Sequence, residues 1–545
     1  MSGPSSDQGP EPLSGFEGRD FRTLIDAQAA LRGSHPFLIW QPFDAPERTW
    51  SYAEFRNAIR RFAGGLHARG VRPCQRLLIH FDNCPEFMVA WLGCAYAGVI
   101  SATTNSRSTQ DELAYYVRHS GVVGAVTQPC FAALVSAAAP DLAWIAVSET
   151  DGGVATDAAA GFEAFAAVDG DPELLPGRPH DPAAPFGIQY TSGTTARPKA
   201  VLWSHANFLW GGQVSAMHEG LGSKDVHLVF LPLFHTNAQI YSVAASLWAG
   251  ASVVLQPRFS ASRFWPVSLR HRCTWASMVP FCAWALAEHP VPEAHAFRCF
   301  GGPVCQPPSD RLFGVKSIGW WGMTETVTHG TVGSPHLPDE SMSIGRPSPA
   351  YGILVLDVGM RPVLPGETGS LYVRGRRGVS LFGGYDGDPE ATAAAFTPDG
   401  LFITGDRVRL GENGFLYFAD RDKDMLKVGG ENVAASEIER VIREVAGVSE
   451  VAVVGRRHSM LDEVPVAFVI AARPADPKLA MRVTAACVSE LASFKQPHEV
   501  RVVESLPRAT LDKVAKSELR KIVAAEFGDA AGLSQERIVN ATPPC

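Results

Sequence analysis

A single run of ten residues combines four serine and threonine side chains with a glycine and a lysine. Tyr190–Lys199 reads YTSGTTARPK. A loop of this composition can surround a phosphate chain with backbone N–H groups, hydroxyl donors and one ammonium. Its spacing differs from the G-x-x-x-x-G-K-[ST] pattern, which disfavours ordinary P-loop nucleotidases. Taken alone, the run is equally compatible with a solvated Ser/Thr-rich turn.

The segments on either side of this run alternate between predicted strands and helices. Residues 77–81 (LLIHF) predict a buried strand, Pro85 begins a helix with one apolar side, and Gly98 ends that helix. Further strands are predicted at Val226–Leu231 and Ser252–Leu255. This order predicts a fold of the α/β class, in which such layers would position the phosphate loop.

The pattern changes near Gly366, where glycine, aspartate and aromatic residues become frequent. Short strands at 370–373 and 414–418 predict a small antiparallel β-barrel. After Arg421 the sequence predicts a small α+β unit. Its elements are a helix at 435–445, strands at 451–454 and 466–470, a helix near 481–491 and a last helix from Lys516.

Length and composition limit the classes of protein that fit. A chain of 545 residues with 46% hydrophobic residues predicts a soluble protein of two or more domains. A net charge of -8 disfavours general nucleic-acid binding. No apolar run is as long as a membrane span and residues 1–18 lack the features of a signal peptide, so we expect a cytoplasmic protein. The ten cysteines form no C-x-x-C pair, which predicts reduced thiols and no structural metal site.

Six further segments lie C-terminal to the phosphate-binding run. They are LPLFHTN at 231–237, GGP at 301–303, WWGMTET at 320–326, GLFITGD at 400–406, DRDKDMLKVGGENV at 420–433 and LPRATLDKVAK at 506–516. In type and order they resemble the superfamily of acyl-CoA synthetases, peptide-synthetase adenylation domains and firefly-type luciferases, from about residue 20 to 525. The resemblance implies a large N-terminal adenylate-forming domain and a mobile C-terminal domain. We expect boundaries at 19–421 and 422–527, with disordered termini at 1–18 and 528–545.

The resemblance implies a site for ATP with Mg²⁺. Glu325 and Thr191 are similar to residues that hold the metal, and a carboxylate beside a triphosphate suits Mg²⁺. Lys513 aligns with the lysine that bridges the acid and the α-phosphate, so Lys513, Thr191 and Glu325 are the expected catalytic residues. Trp321 stands where most relatives have a tyrosine that stacks on adenine, and Asp406 and Arg421 correspond to residues that reach the ribose. The expected nucleotide-binding set is Thr191, Ser192, Gly193, Thr194, Thr195, Lys199, Gly301, Gly302, Pro303, Trp320, Trp321, Gly322, Met323, Thr324, Asp406, Arg421 and Lys513.

The other two substrates are expected beside this site. In isolation, His235 and Trp320 would be ordinary core residues, and only the motifs favour a functional role. By resemblance, the carboxylic acid lies among His235, Asn237, Met278, Trp320 and His329. Lys423 is similar to the hinge residue about which the small domain turns, and Gly429 and Gly430 would face the pantetheine channel of coenzyme A, near Lys427.

Several residues depart from the family pattern. Ala196 and Ala200 replace glycines of the phosphate loop, and an alanine forced to a positive φ is strained by roughly 1 kcal/mol or more. Leu511 and Asp512 replace a small Ser-Gly pair before Lys513. These changes predict slower adenylation rather than its loss, since the hydroxyls and Lys199 remain.

The expected activity is that of an AMP-forming acyl-CoA ligase. The closest likeness is to the carnitine/crotonobetaine-CoA ligase group, whose members also act on medium-chain, aromatic and steroid-derived acids. Two alternatives stay open: transfer of the acyl group to a carrier protein in trans, and a weakened acyl or nucleotide sensor. The expected partners are a small carboxylic acid, ATP and coenzyme A, with no nucleic acid and no integral membrane contact. The sequence leaves the oligomeric state open, a homodimer included.

Overall fold

The computed structural model describes residues 15–156, 161–191, 198–421, 425–472, 477–507, 514 and 516–528. The predicted residues Ser192, Gly193, Thr194, Thr195, Ala196, Lys423, Leu511, Asp512 and Lys513 lie outside these ranges, as do most residues of the two predicted tails. For Arg421 the backbone is described. Residues 15–18 form a turn that buries Phe16.

The described strands occur throughout the chain. In chain order they are β1 (Pro36–Trp40), β2 (Arg48–Ser51), β3 (Arg76–His80), β4 (Ile100–Thr103), β5 (Gly124–Thr127), β6 (Ile145–Val147), β7 (Thr150–Asp151), β8 (Val154–Ala155), β9 (Glu163–Ala164), β10 (Pro185–Thr191), β11 (Lys199–Ser204), β12 (Val226–Val229), β13 (Ser252–Leu255), β14 (Trp275–Ser277), β15 (Cys299–Gly302), β16 (Lys316–Trp321), β17 (Thr331–Val332), β18 (Arg346–Pro347), β19 (Gly352–Leu356), β20 (Thr368–Arg374), β21 (Gly384–Tyr385), β22 (Phe402–Leu410), β23 (Leu416–Arg421), β24 (Met425–Val428), β25 (Glu431–Ala434), β26 (Val448–His458), β27 (Asp462–Ala471) and β28 (Glu499–Val503).

Helices cover the sheets and form part of both domains. In chain order they are α1 (Phe21–Arg32), α2 (Tyr52–Ala68), α3 (Pro85–Ala97), α4 (Gln110–Ser120), α5 (Pro129–Ala138), α6 (His205–Glu219), α7 (Ala245–Ala249), α8 (Ala261–His271), α9 (Pro280–Ala287), α10 (Pro307–Phe313), α11 (Pro389–Ala394), α12 (Ala435–Arg443), α13 (Leu479–Glu490) and α14 (Lys516–Gly528). A π-helix, Asn237–Ala244, runs directly into α7, and 3₁₀ turns occupy Phe165–Val168, Pro172–Leu174 and Ser493–Lys495.

The predicted α/β fold class is confirmed, and the N-terminal part contains two large sheets. One has eight strands in the order β21-β11-β10-β4-β3-β5-β6-β9, and the other has nine in the order β18-β17-β16-β15-β14-β12-β13-β1-β2. The predicted helix from Pro85 to Gly98 is α3, where proline occupies the first turn and Gly98 ends the helix at φ 78°. Trp91 of α3 packs edge-on against Phe186 of β10 and Phe208 of α6, with ring centroids 5.8 and 5.7 Å away. This core fixes β10, whose last residue is Thr191.

The two later units also follow the predicted order of elements. Where the sequence predicts a small barrel, the described strands form an antiparallel sheet, β19-β20-β22-β23. In the C-terminal unit the strands pair in the order β25-β24-β27-β26, and β28 pairs in parallel with β27. This unit has a hydrophobic core of its own, which includes Ile438, Val453 and Val469. No helix in the described part of the chain is long and apolar enough to span a membrane.

Candidate active site

A cleft of about 300 Å³ opens where β10, β12 and β16 end, between the two large sheets and the C-terminal unit. Thr191 ends β10 and pairs directly with Lys199 at the start of β11, so both ends of the phosphate-binding run are adjacent. The predicted site residues that line this cleft are Thr191, Lys199, His235, Gly322, Met323, Thr324, Glu325, Asp406 and Gly430.

Glu325 lines this cleft and has a partner that the sequence did not reveal. The Tyr385 hydroxyl donates to Glu325 Oε1 at 2.9 Å, and the ammonium of Lys199 lies 4.5 Å from the centroid of the Tyr385 ring. Burial raises the pKa of the Glu325 carboxyl above its usual value, while the Tyr385 hydroxyl and the Lys199 charge partly offset that rise. The arrangement places an acceptor for a cation next to a cation suited to phosphate.

Thr324 is held from two sides. The Thr236 hydroxyl donates to Gln189 Oε1 at 2.8 Å and lies 3.2 Å from the Thr324 hydroxyl. Trp203 donates its indole N–H to the Thr324 carbonyl at 2.9 Å. Gln189 and Trp203 lie outside the predicted segments, and Thr236 lies within the segment at 231–237 but was not selected there. Together they leave the Thr324 side chain at the wall of the cleft.

Trp321 and Asp406 come from different sheets and form a direct hydrogen bond. The indole N–H of Trp321 on β16 donates to Asp406 Oδ2 on β22 at 2.7 Å. Both residues are buried, and the backbone of Asp406 pairs with that of Arg421 on β23.

The predicted strain at Ala200 does not occur. Ala200 lies within β11, pairs with Tyr190 and has no positive φ. Glycine is therefore not required at this position. At Gly301, by contrast, glycine is favoured for a steric reason, because a Cβ there would lie 1.8 Å from the Trp320 ring.

The residues predicted to face the acid fall into two groups. Trp320 stacks on His329 with ring centroids 4.4 Å apart, and Tyr241 of the π-helix packs against the same imidazole at 4.0 Å. Burial lowers the pKa of His329 well below its usual value, so the ring is neutral. Met278 is buried nearby and donates its backbone N–H to the Gly301 carbonyl at 2.7 Å. Tyr241 is a further residue that the sequence did not reveal.

His235 and Asn237 lie at the start of the π-helix, a form that is frequent at functional sites. The His235 Nε2 atom is 2.9 Å from Glu431 Oε2, so this histidine contacts the C-terminal unit rather than the aromatic group around His329. Burial favours the neutral Glu431 carboxyl, but His235, Arg107 and Lys495 together outweigh burial and hold the pKa of Glu431 below its usual value.

The C-terminal unit closes one side of the cleft. Gly429 and Gly430 adopt φ of 57° and 88°, and a Cβ on Gly430 would lie 3.7 Å from Val279. Lys427 donates its backbone N–H to Glu463 at 2.8 Å. Farther along the interface, the Thr109 hydroxyl donates to the Glu490 carbonyl at 3.2 Å. The glycine turn therefore lies at the cleft wall in this arrangement.

A buried ion triad of Lys495, Glu112 and Glu437 joins the two domains. The Lys495 ammonium donates to Glu112 Oε1 of α4 at 2.5 Å and to Glu437 Oε1 of α12 at 2.8 Å. Burial would lower the pKa of Lys495, but the neighbouring carboxylates outweigh it and hold that pKa above its usual value. The ammonium therefore stays charged.

Known proteins with similar sequences and structures share this architecture. Residues 25–386 match the AMP-binding enzyme family, and residues 437–513 match the AMP-binding enzyme C-terminal domain. The crotonobetaine/carnitine–CoA ligase of Escherichia coli O139:H28 is 31% identical over 92% of this chain and 99% of its own length.

Among solved structures, o-succinylbenzoate CoA synthetase from Bacillus subtilis matches in two states. The complex with its product analogue OSB-NCoA has a TM-score of 0.79 at 27% identity, covering 91% of this chain and 98% of that one. The complex with AMP has a TM-score of 0.64 at 26% identity, with the same coverage. By sequence and by structure, the chain belongs to the AMP-binding enzyme family.

Proposed function

We propose that this protein is an AMP-forming acyl-CoA ligase acting on a small carboxylic acid. The observation that carries the proposal is the convergence of Lys199, Thr324, Glu325 and Asp406 in one cleft, closed by the Gly429–Gly430 turn of a second domain. Relatives that share both family domains include ligases that form CoA thioesters. We also propose a large domain at 19–421, a mobile domain at 422–527 and a cytoplasmic location.

The residues of the cleft suit the charges of ATP. Lys199, Thr324 and Asp406 all line the cleft. We propose that Lys199 contacts phosphate, that Asp406 accepts from the ribose and that the Thr324 hydroxyl contacts the α-phosphate. The buried Glu325 carboxylate, supported by Tyr385, fits a Mg²⁺ ligand, with Thr191 on the facing strand end. When bound, Mg²⁺ would offset the negative charge of the phosphates. Lys513 completes the proposed catalytic set.

The chemistry proceeds in two steps that need no covalent enzyme intermediate. A carboxylate oxygen of the acid attacks the α-phosphorus of ATP, and pyrophosphate leaves. The thiol of coenzyme A then loses its proton and attacks the acyl carbonyl, and AMP leaves. The first step depends on residues that stabilise charge at phosphorus, and the second on access for pantetheine past Gly430.

The acid is proposed to lie beside the aromatic group formed by Trp320, His329 and Tyr241. These three rings are in mutual contact and buried, and the imidazole is neutral, so the group carries no charge. A flat or branched apolar acid suits such surroundings better than a strongly charged one.

Pyrophosphate release tests the proposal. Purified protein is assayed with ATP and Mg²⁺ across short fatty, aryl and steroid acids and carnitine, with and without coenzyme A. We expect release with one class of acid, a CoA thioester when coenzyme A is present, and a loss of at least about a hundredfold in Glu325→Gln. Release without a thioester would instead favour a carrier protein as acceptor. ATP binding without release from any acid would favour a sensor.

A further inference from the structure

The hydrogen bond between Trp321 and Asp406 links two residues that the motifs assign to different parts of a nucleotide. The donor is the indole Nε1 of Trp321, at the end of β16 in the nine-stranded sheet. The acceptor is the Oδ2 atom of Asp406, on β22 of the four-stranded antiparallel sheet. The 2.7 Å bond thus joins the two sheets, and of its two partners Asp406 lines the cleft.

Both partners are held in place by their surroundings. Trp321 is 7% exposed and Asp406 is 2% exposed. A Cβ on Gly330 would lie 2.7 Å from the Trp321 ring, so the glycine lets the indole pack directly against this backbone. The Asp406 backbone N–H donates to the Thr404 hydroxyl at 3.0 Å. The indole therefore has little freedom to turn away from the carboxylate.

A hydrogen bond to an ionised carboxylate is among the stronger ones in proteins, and it fixes the plane of that group. An ionised aspartate beside the ribose must present its oxygens in one orientation to distinguish sugars that carry both hydroxyls. A tyrosine, the usual residue here by family resemblance, carries its only donor on the phenol oxygen at the tip of the ring. Tryptophan carries its donor on the side of the indole, where it reaches Asp406 Oδ2.

We propose that Trp321 is a positioning residue for the ribose of the nucleotide, acting through Asp406. The inference rests on the proposed function, because it takes the cleft to be a nucleotide site. Its consequence is a stricter preference for a full ribose than Asp406 alone would give.

Direct binding of nucleotides, without any acid, tests the inference. Dissociation constants for ATP, 2′-deoxy-ATP and 3′-deoxy-ATP are measured by titration calorimetry with Mg²⁺, using the full chain. In Trp321→Phe, which keeps a buried ring but removes the donor, we expect ATP to bind about tenfold more weakly. The deoxy nucleotides should lose less, so that the preference for ATP shrinks.

A double-mutant cycle shows whether the effect passes through Asp406. In an Asp406→Ala background, Trp321→Phe should change nucleotide binding little, because the acceptor is gone. Trp275→Phe is a matched control: this fully buried tryptophan lies in β14 of the same sheet, and its indole N–H has no hydrogen-bond partner among the described residues. It should leave sugar preference as in the wild type.

The outcomes separate the inference from the proposed function. Equal weakening of all three nucleotides in Trp321→Phe, or additive effects in the double mutant, would overturn the positioning role. If Trp321→Phe fails to fold, Trp321→Leu tests the same loss of the donor with another apolar side chain. Failure of the wild type to bind ATP would overturn the proposed function itself.

Discussion

At the scale of single residues, the contact between Tyr385 and Glu325 affects the ionisation of the proposed metal ligand. The carboxyl is buried, which raises its pKa, and a magnesium ligand must be ionised. The Tyr385 hydroxyl opposes burial because it donates to the ionised form at 2.9 Å. Removing that donor should therefore raise the pKa of Glu325 further.

Tyr385→Phe isolates this hydroxyl, since the ring under the Lys199 ammonium remains. We expect the acid limb of the pH–rate profile for pyrophosphate release to move to higher pH, because protonation of Glu325 begins at higher pH. At pH 7 the value of kcat/KM for ATP should fall about tenfold, and more added Mg²⁺ should recover part of the rate. The profile is measured at several Mg²⁺ concentrations. An acid limb identical to that of the wild type would contradict the role of Tyr385.

The sequence identified the residues that sit in local motifs and missed those that arrive from elsewhere. Glu325 and Asp406 were predicted because their neighbours in sequence are typical of the family. Tyr385 is 60 residues from Glu325 in sequence and reaches it only because β21 pairs with β11. Trp203 of β11 reaches the Thr324 carbonyl in the same way, whereas Thr236 lies inside a predicted segment, next to His235, and was overlooked.

At the scale of elements, the packing of a β16 side chain against β15 depends on a glycine. The Trp320 ring occupies the space where a Cβ of Gly301 would lie, with the nearest ring atom at 1.8 Å. At Gly302, the next residue of β15, the nearest atom would be at 3.6 Å, an ordinary contact distance. The two glycines are thus adjacent in one strand but differ in the space available.

Gly301→Ala should displace Trp320 from its stack on His329. We expect the KM for the acid to rise about tenfold while the KM for ATP changes less, and the protein to lose about 1–3 kcal/mol of stability from overpacking. Steady-state kinetics for each substrate and thermal unfolding are the measurements. Gly302→Ala serves as the stability control, with a melting temperature close to that of the wild type. Equal stability of the two variants would contradict the overpacking argument, because it would show that the Trp320 ring can move without loss of folding stability.

At the scale of the whole molecule, the sequence predicted both domains and the order of their elements but not how they meet. Hydrophobic periodicity marks each helix and strand locally, whereas Lys495 and Glu112 are 383 residues apart in the chain. The match to o-succinylbenzoate CoA synthetase is closer for the complex with a product analogue than for the complex with AMP, at TM-scores of 0.79 and 0.64. Under the proposed function, we expect this arrangement, with Gly430 at the cleft, to serve the thioester-forming step.

The Lys495 triad is built so that one of its two bonds crosses between domains. Glu437 lies in the same domain as Lys495, and that pair can move as a unit. Glu112 belongs to the large domain, and its bond to Lys495 is lost if the small domain turns away. Replacing Glu112 and replacing Glu437 should therefore have different effects, although both carboxylates bind the same ammonium.

Glu112→Gln should therefore weaken this domain arrangement and slow acyl transfer to coenzyme A about tenfold, while formation of the acyl-adenylate stays near the wild-type rate. Glu437→Gln removes the carboxylate within the small domain, so it should lower the stability of that domain without selecting one half-reaction. Quenched single-turnover reactions, following pyrophosphate and acyl-CoA separately, measure both steps. Equal slowing of the two steps in Glu112→Gln would show that the triad supports the fold rather than one arrangement. Selective slowing of acyl transfer would show that Glu112 supports one domain arrangement. The sequence alone gave no reason to choose this residue, because its role exists only where the two domains meet.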